Sequence, residues 1–196
     1  LGFRKKDEST KKKSKHLGKY DTPEAIGEKW QMDVKYVPKA CDSRDEKEQY
    51  YQYTVIEEAS RKRFIYAYQE QSSYSTVDFF KRAIVYFGYA PNTLQTDNGS
   101  EFTHTQKTKR IHSLDVFCST YGIVHKTIRP RTPWHNGKVE RSHRNDQERF
   151  YNHLNFYSFN DLQEQMKRYL YRSNNIPMAV LGWKSPNQKQ HELGGR

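Results

Sequence analysis

Apolar and polar residues alternate along residues 29–37, beginning at Trp30. A period of two is typical of a β-strand with one apolar face, and it puts Asp33 on the opposite, polar face. Residues 50–56 and 63–68 combine aromatic and β-branched side chains and predict two further strands joined by a tight connection. The chain therefore opens with three predicted strands.

The next segment changes from strand to helix periodicity. Ser75-Thr76-Val77-Asp78 resembles a capping box that opens a helix, with Gly88 as its C-terminal cap. A strand at 92–96, a helix at about 113–121 and a strand at 123–128 are predicted to follow. This order predicts an α/β sheet with mixed strand directions.

Two longer helices are predicted in the last third of the chain. The first covers about residues 138–154, and the second begins with Asn160 as its N-cap and ends near Asn175. The tail at 176–196 contains two prolines and a Gly-Gly pair, so we expect an irregular extension there.

The net charge of +11 favours a polyanionic partner such as nucleic acid. Residues 1–19 contain eight basic and two acidic residues without apolar periodicity, which indicates a flexible basic arm. The predicted organisation is an arm or linker at 1–25, a core at 26–158, and a C-terminal helix with its extension at 159–196.

Cysteine and histidine spacing argues against a disulfide framework or a zinc finger. Cys41 and Cys118 form no C-x-x-C pair, so a reducing compartment is the default. His104, His112, Cys118 and His125 match no zinc-finger spacing, and we interpret them as loop and surface residues. No apolar run is long enough to predict a membrane span or a signal peptide.

Three acids, Asp33, Asp97 and Glu140, carry the candidate chemistry. Each has an ordinary alternative: a polar residue on a half-exposed strand, an Asp-Asn-Gly turn, and a glutamate near a helix N-terminus. Together they occupy a first strand, the tip of a later strand and the start of a helix. Strand ends and helix starts are where an open α/β sheet binds ligands, so a shared site is the stronger interpretation.

Three converging carboxylates repel one another unless cations neutralise them. Ligands that are all oxygen suit Mg²⁺ or Mn²⁺ rather than zinc. Two such ions, roughly 3.5–4 Å apart, can activate a hydroxyl and stabilise the leaving oxygen of a displacement at phosphorus. In that arrangement Asp33 bridges both ions, and Asp97 and Glu140 each complete one side.

The segments around these acids resemble a known family. Trp-x-x-Asp ending at Asp33, Thr-Asp-Asn-Gly-Ser-Glu-Phe around Asp97, and Pro-Trp-His-Asn-Gly-Lys-Val-Glu-Arg around Glu140 are similar to the catalytic core of the retroviral-integrase superfamily, especially bacterial insertion-sequence transposases. The resemblance covers about residues 28–155 and extends weakly into 174–186. Each motif alone has false matches, whereas the three in this order are highly specific.

The resemblance implies a ribonuclease H-like fold with a five-stranded mixed sheet flanked by helices. It implies a DDE triad of Asp33, Asp97 and Glu140, Mg²⁺-dependent cleavage at transposon ends, and transfer of the 3′-hydroxyl into target DNA. The implied partners are double-stranded DNA ends, target DNA and further copies of the chain. It also implies a bacterial cytoplasmic, nucleoid-associated protein. Because the chain starts at Leu1, we expect a DNA-binding region upstream.

Two departures from the family pattern concern the surroundings of the triad. Between Asp97 and Glu140 lie 42 residues, more than is usual in the family, and we assign the surplus to residues 103–112. Glu57-Glu58 stands where relatives often have Asp followed by Ser-Arg. We assign neither glutamate a catalytic role.

Basic, aromatic and amide side chains around the third acid are candidates for DNA contact. The ordinary alternative for the basic residues is a solvated helix face. For the tryptophan it is packing under its own loop. The candidates are Lys126, Arg129, Arg131, Trp134, His135, Asn136, Lys138, Arg141 and Arg144.

Three functional classes remain open on the residues. The first is a DNA transposase or integrase, and the second is a ribonuclease H-like nuclease that hydrolyses without strand transfer. The third is a noncatalytic DNA-binding relative with vestigial acids. The Asn-Gly-Lys-Val-Glu-Arg segment before and after Glu140 argues against the second class, and the intact acids argue against the third.

Overall fold

A five-stranded sheet is the centre of the computed structural model, which describes residues 22–45, 47–104, 106, 108–128 and 136–194. Its strands lie in the order β3-β2-β1-β4-β5. The strands are β1 (Lys29–Tyr36), β2 (Tyr51–Glu57), β3 (Arg63–Tyr68), β4 (Thr93–Thr96) and β5 (Val124–Thr127). The helices are α1 (Ser73–Phe87), α2 (Ser113–Thr120), α3 (Gly137–Arg149), α4 (Phe159–Asn175) and α5 (Pro186–Glu192).

The sheet is mixed, as predicted. β2 is antiparallel to both β1 and β3, while β4 runs parallel to β1 and to β5. A parallel pair needs a crossover connection, and α1 and α2 supply the crossovers to β4 and β5. The predicted five-stranded mixed sheet flanked by helices is confirmed.

One face of the sheet packs against α1 and α2 in an aromatic core. Trp30 of β1 is fully buried there, in ring contact with Phe80 and Phe87 of α1. Leu94 of β4 and Leu114 of α2 extend the same cluster. Since Trp30 faces this core, alternation along β1 directs Asp33 to the other side of the sheet, as the sequence pattern predicts.

The other face of the sheet packs against α3 and α4. Its apolar part includes Leu162 and Met166 of α4. Its polar part centres on Asp146 of α3, which is fully buried and lies 2.5 Å from the guanidinium of Arg63. Gln52 donates to the other oxygen of Asp146 at 2.8 Å, so α3 is bound through one carboxylate to β2 and β3.

Helix ends differ from the sequence predictions where another polar residue provides the cap. α1 begins three residues early because Ser72, rather than Ser75, is its N-cap and accepts from the Ser75 amide. Ser158 likewise replaces the predicted Asn160 as the cap of α4. Gly88 is the predicted left-handed C-terminal cap of α1, with φ of 79°.

The predicted helix at 138–154 and the predicted irregular tail also differ from the structure. α3 ends at Arg149, and a short 3-10 turn follows at Tyr151–His153, because Tyr151 leaves the helix to pack in the core. The tail contains a regular helix, α5, because Ser185 and Gln188 form a complete capping box and Pro186 occupies the first turn.

Within the described ranges, no helix is both long enough and apolar enough to cross a membrane.

Replacing Asp146 by alanine is expected to lower the free energy of unfolding by about 3–5 kcal/mol, because it leaves the Arg63 guanidinium buried without its counter-charge. Urea unfolding followed by circular dichroism measures the change. Arg82→Ala is the control, because its pair with Asp78 is partly solvent-exposed and is worth under about 1 kcal/mol. Equal, small losses in both variants would show that the buried pair does not hold α3.

Candidate active site

Parallel pairing of β1 with β4 brings the two aspartates to one level of the sheet. Gln31 of β1 pairs with Gln95 of β4. Asp33 follows Gln31 by two residues within β1, and Asp97 follows Gln95 by two residues, directly after β4 ends. The two aspartates therefore occur at the same level of the sheet. Gln31 and Gln95 are as far apart in the sequence as Asp33 and Asp97, so the pairing of the glutamines aligns the aspartates as well.

Glu140 reaches this level because Gln31 binds the start of α3. The side-chain oxygen of Gln31 accepts hydrogen bonds from the amides of Lys138 and Val139, both at 3.2 Å. These amides belong to the first turn of the helix, and first-turn amides have no hydrogen-bond acceptor within the helix itself. Gln31 lies on the same face of β1 as Asp33, so this contact docks the first turn of α3 beside Asp33.

A second contact fixes the same helix end through Glu58. The Glu58 carboxylate is fully buried and pairs with the amines of Lys29 and Lys138. Its Oε1 also accepts from the Gln31 amide at 2.9 Å. Glu57, by contrast, accepts from the backbone and hydroxyl of Ser60 in the β2–β3 turn. Both glutamates thus have structural partners.

The neighbouring acids change the pKa of the Asp33 carboxyl. Burial, and then the negative charges of Asp97, Glu140 and Glu101, raise the pKa of Asp33 to about 7, against the opposing effect of a hydrogen bond from the Val34 amide. The negative charges of both other predicted triad members, Asp97 and Glu140, therefore act on Asp33. The structure places Asp97 and Glu140 within electrostatic range of Asp33.

Glu101 is a fourth acid at this place, and sequence reasoning assigned it no role. Its side chain is buried and accepts from Gln71 at 2.7 Å. Its carboxylate lies so close to Gly99 that a Cβ at position 99 would be 2.6 Å from a carboxylate oxygen. A side chain at position 99 would require the Glu101 carboxylate to move. The signal was present in the sequence, because Glu101 is part of the motif around Asp97.

His143 is a second residue that the sequence analysis missed. Its Nδ1 lies 3.5 Å from Oδ2 of Asp33, and burial lowers the pKa of its ring to about 4. Within the part of the chain that the structure describes, its buried Nε2 has no hydrogen-bond partner. Position 143 is one helical turn beyond Glu140, which is the spacing that places both side chains on one face.

The donor set fits a hard divalent cation in its chemistry. Asp33, Asp97 and Glu140 offer only carboxylate oxygens, and the mutual repulsion seen at Asp33 is the kind that a cation relieves. The side chains are not drawn in to ligand distance: among the described residues, no three His, Cys, Asp or Glu side chains are grouped tightly enough to hold an ion.

The predicted DNA-contact residues occupy different surroundings. Lys126 on the edge strand β5, and Arg141 and Arg144 on α3, are exposed. Lys138 is mostly buried on Glu58. Asn136 is buried, and its side-chain oxygen lacks a partner among the described residues. Arg129, Arg131, Trp134 and His135 lie outside the described residues.

The interpretation of the histidines and Cys118 as loop and surface residues is wrong for three of the four. Cys118 and His112 are buried, and the side chain of His125 is only 5% exposed. His112 caps α2 by accepting from the Leu114 amide, and His125 lies within a strand. Spacing alone does not reveal such burial, because β5 is too short to show a clear period.

The chain has the arrangement of an integrase-like DDE core. It combines a mixed five-stranded sheet, one acid on β1, one acid directly after β4, and a third acid on a helix docked against the sheet. The sequence model of the Integrase core domain family matches residues 23–133, and a second Integrase core domain model matches 121–186. The chain belongs to the integrase core domain family. This confirms the resemblance that the three motifs indicated.

Individual relatives agree with this assignment. The chain is 33% identical over 153 residues to a putative integrase, ORF3, of Spiroplasma virus SpV1-C74. The match covers 74% of this chain but 42% of that relative, so the chain spans less than half of the relative's length.

Solved structures show the same fold. The catalytic core domain of HTLV-2 integrase in complex with magnesium aligns with a TM-score of 0.62 at 20% identity, covering 85% of this chain and 98% of that one. A chain of the simian T-cell lymphotropic virus intasome in complex with PP2A regulatory subunit B56 gamma aligns with a TM-score of 0.62 at 17% identity, covering 89% and 60%. The predicted ribonuclease H-like fold is confirmed.

Asp33→Asn is expected to stabilise the metal-free protein, and more so at high pH. Folding holds the Asp33 carboxyl neutral up to a pKa of about 7, whereas the unfolded chain ionises it near its ordinary value of 3.8. The free energy of unfolding of the wild type therefore falls between about pH 4 and pH 7. The gain from Asp33→Asn should be about 3 kcal/mol larger at pH 8 than at pH 5.

Urea unfolding in the presence of a chelator measures this difference. Asp45→Asn, at an exposed loop aspartate, is the matched control and should show the same stability relative to the wild type at both pH values. A gain from Asp33→Asn that does not change with pH would contradict the crowding of charge around Asp33.

Proposed function

We propose that this chain is the catalytic core of a DNA transposase, which cleaves transposon ends and transfers the resulting 3′-hydroxyl into target DNA. The observation that carries the proposal is the pairing of Gln31 with Gln95, two residues before Asp33 and Asp97, together with the docking of the first turn of α3, which carries Glu140, onto Gln31. Membership of the integrase core domain family supports polynucleotidyl transfer as the reaction type.

In this proposal Asp33, Asp97 and Glu140 hold Mg²⁺ or Mn²⁺, as two ions. The magnesium complex of the HTLV-2 core, which has the same fold, supports this choice of metal. When bound, the ions activate the attacking hydroxyl and stabilise the leaving oxygen. The acids supply oxygen ligands, and Asp33 releases its proton to do so.

The helix that carries Glu140 also presents charge to the substrate. Arg141 and Arg144 are exposed on α3 within one turn of Glu140. Exposed guanidinium groups at this position can pair with phosphates on either side of the reacting bond. Lys126 extends the positive surface onto β5. Lys138 instead neutralises Glu58 and supports the helix start.

We further propose that copies of the chain assemble on DNA, so that two transposon ends are handled together. The fold shared with a chain of the simian T-cell lymphotropic virus intasome supports assembly. Hydrolysis without strand transfer remains the competing activity within nucleases, and an assay that scores joined products separately from nicked products distinguishes the two.

Asp97→Asn and Glu140→Gln are each expected to abolish Mg²⁺- or Mn²⁺-dependent nicking and joining of a transposon-end duplex, because each removes a charged oxygen ligand while keeping side-chain shape. Denaturing gels of labelled DNA measure both products. Glu148→Gln is the matched control, since Glu148 is an exposed glutamate on the same helix. A branched DNA substrate that reports reversal of joining provides a second assay that depends less on end recognition.

Unchanged joining in both Asp97→Asn and Glu140→Gln would overturn the proposed triad. Metal-dependent nicking that never gives joined product would instead favour the hydrolytic alternative. DNA binding without any cleavage, in the presence of either metal, would favour a noncatalytic relative.

Arg141→Ala combined with Arg144→Ala is expected to weaken duplex binding for all sequences alike. Each lost phosphate contact should reduce the slope of log affinity against log salt by about 1. Fluorescence anisotropy across a salt series measures the slope. Lys167→Ala combined with Arg168→Ala, two exposed basic residues of α4, is the control. Equal slopes in the wild type and the Arg141/Arg144 variant would place the DNA elsewhere.

A further inference from the structure

Three side chains form a hydrogen-bonded chain on the face of the sheet opposite the acids. Asp115 of α2 lies with its Oδ1 2.6 Å from Nδ1 of His125 on β5. Nε2 of His125 lies 2.9 Å from the hydroxyl of Thr96 at the end of β4. That hydroxyl donates to the carbonyl oxygen of Asp97 at 2.9 Å. The chain therefore ends on the backbone of a proposed metal-binding residue.

The direction of the hydrogen bond between His125 and Thr96 follows from counting donors. Thr96 has one hydroxyl hydrogen, and its bond to Asp97 uses that hydrogen, so His125 must donate from Nε2. At the other side of the ring, Nδ1 of His125 is at hydrogen-bond distance from the carboxylate of Asp115. The ring of His125 is thus held at both nitrogens, one toward Asp115 and one toward Thr96.

The order hydroxyl, imidazole and carboxylate is also that of a nucleophilic triad, but burial excludes this use. Thr96 is fully buried, and the side chain of His125 is 5% exposed. A nucleophile must reach its substrate, whereas this hydroxyl is enclosed and already donates to the protein backbone. A supporting role fits the geometry better.

What the chain supports is the point where β4 ends. Thr96 is the last residue of the strand, and Asp97 follows it into a loop. The amide of Ile128 donates to the Thr96 carbonyl, and the Asn98 side chain donates to the carbonyl of Ile128, both at 2.9 Å. The Gly99 amide donates to Oδ1 of Asp97 at 2.9 Å. The position of Asp97 is thus set by contacts to β5, by its own turn and by Thr96.

We propose that Asp115, His125 and Thr96 form a positioning relay that fixes the backbone of Asp97 from the far side of the sheet and so holds its carboxylate in place for metal binding. The relay links α2 and β5 to Asp97 without touching substrate. The part that concerns metal rests on the proposed function, whereas the mechanical part does not.

Thr96→Val is the principal test, because valine keeps the shape of threonine and removes the hydroxyl. Thr96→Ser keeps the hydroxyl and should restore wild-type behaviour. Thr120→Val is the matched control, since the Thr120 hydroxyl donates only within α2 in the bonds that the structure shows. Thermal unfolding confirms that each variant is folded before the comparison.

Two measurements report on the relay without requiring DNA chemistry. Hydrogen exchange of the metal-free protein, followed by mass spectrometry, should be about tenfold faster over residues 97–103 in Thr96→Val, because the hydrogen bonds of the Thr96 hydroxyl with Asp97 and His125 are both lost. Mn²⁺ affinity, measured by titration with electron paramagnetic resonance, should fall by about 10- to 100-fold. Thr96→Ser and Thr120→Val should stay within a few-fold of the wild type in both.

Wild-type exchange over residues 97–103 in folded Thr96→Val would overturn the relay, and so would Thr96→Ser behaving like Thr96→Val. If Thr96→Val does not fold, Asp115→Ala decides, because Asp115 is 40% exposed and its removal leaves no buried void. It should accelerate exchange in the same segment, and wild-type exchange there would overturn the proposal.

The outcomes also separate the relay from the proposed function. A wild-type protein that binds no Mn²⁺ and joins no DNA would defeat the proposed function, yet faster exchange in Thr96→Val would still establish the mechanical relay. A wild-type protein that binds Mn²⁺ with the same affinity as folded Thr96→Val would retain the proposed function and overturn the part of the relay that concerns metal.

Discussion

Parallel pairing between β1 and β4 is the constraint on which the candidate site depends. It places Asp33 on β1 level with Asp97, the residue after the end of β4, because Gln31 and Gln95 pair two residues before them. A slip of one residue would turn one of the two carboxylates into the aromatic core on the other face. The burial of Trp30 and Leu94 in that core therefore also fixes where the acids lie.

Bringing acids together costs free energy, and the surrounding structure offsets this cost through neutral and paired groups. One sign of this cost is that burial and the neighbouring acids raise the pKa of Asp33 to about 7. The start of α3 is bound by the Gln31 side chain, and its middle by the ion pair of Asp146 with Arg63. Rigid support of this kind holds Glu140 close to Asp33 despite their repulsion, which is what a preorganised site requires.

Sequence alone predicted the parts of this arrangement that follow from local pattern. Alternation along residues 29–37 gave the face of Asp33, and the motifs around Asp97 and Glu140 indicated the integrase-like core. Supporting residues were harder to foresee. Gln31 acts through a contact with a helix more than a hundred residues away, and His125 is buried in a four-residue strand. Such roles depend on which segments meet, and spacing within one segment does not encode that.

The central claim is that Asp33, Asp97 and Glu140 together form a metal site. A crystal structure of the protein soaked in Mn²⁺, with anomalous scattering recorded near the manganese edge, tests it most directly. We predict anomalous density on ions ligated by Asp33 together with Asp97 and by Asp33 together with Glu140. An Mn²⁺-saturated crystal with no density at these carboxylates, or with ions bound only elsewhere, would contradict the claim.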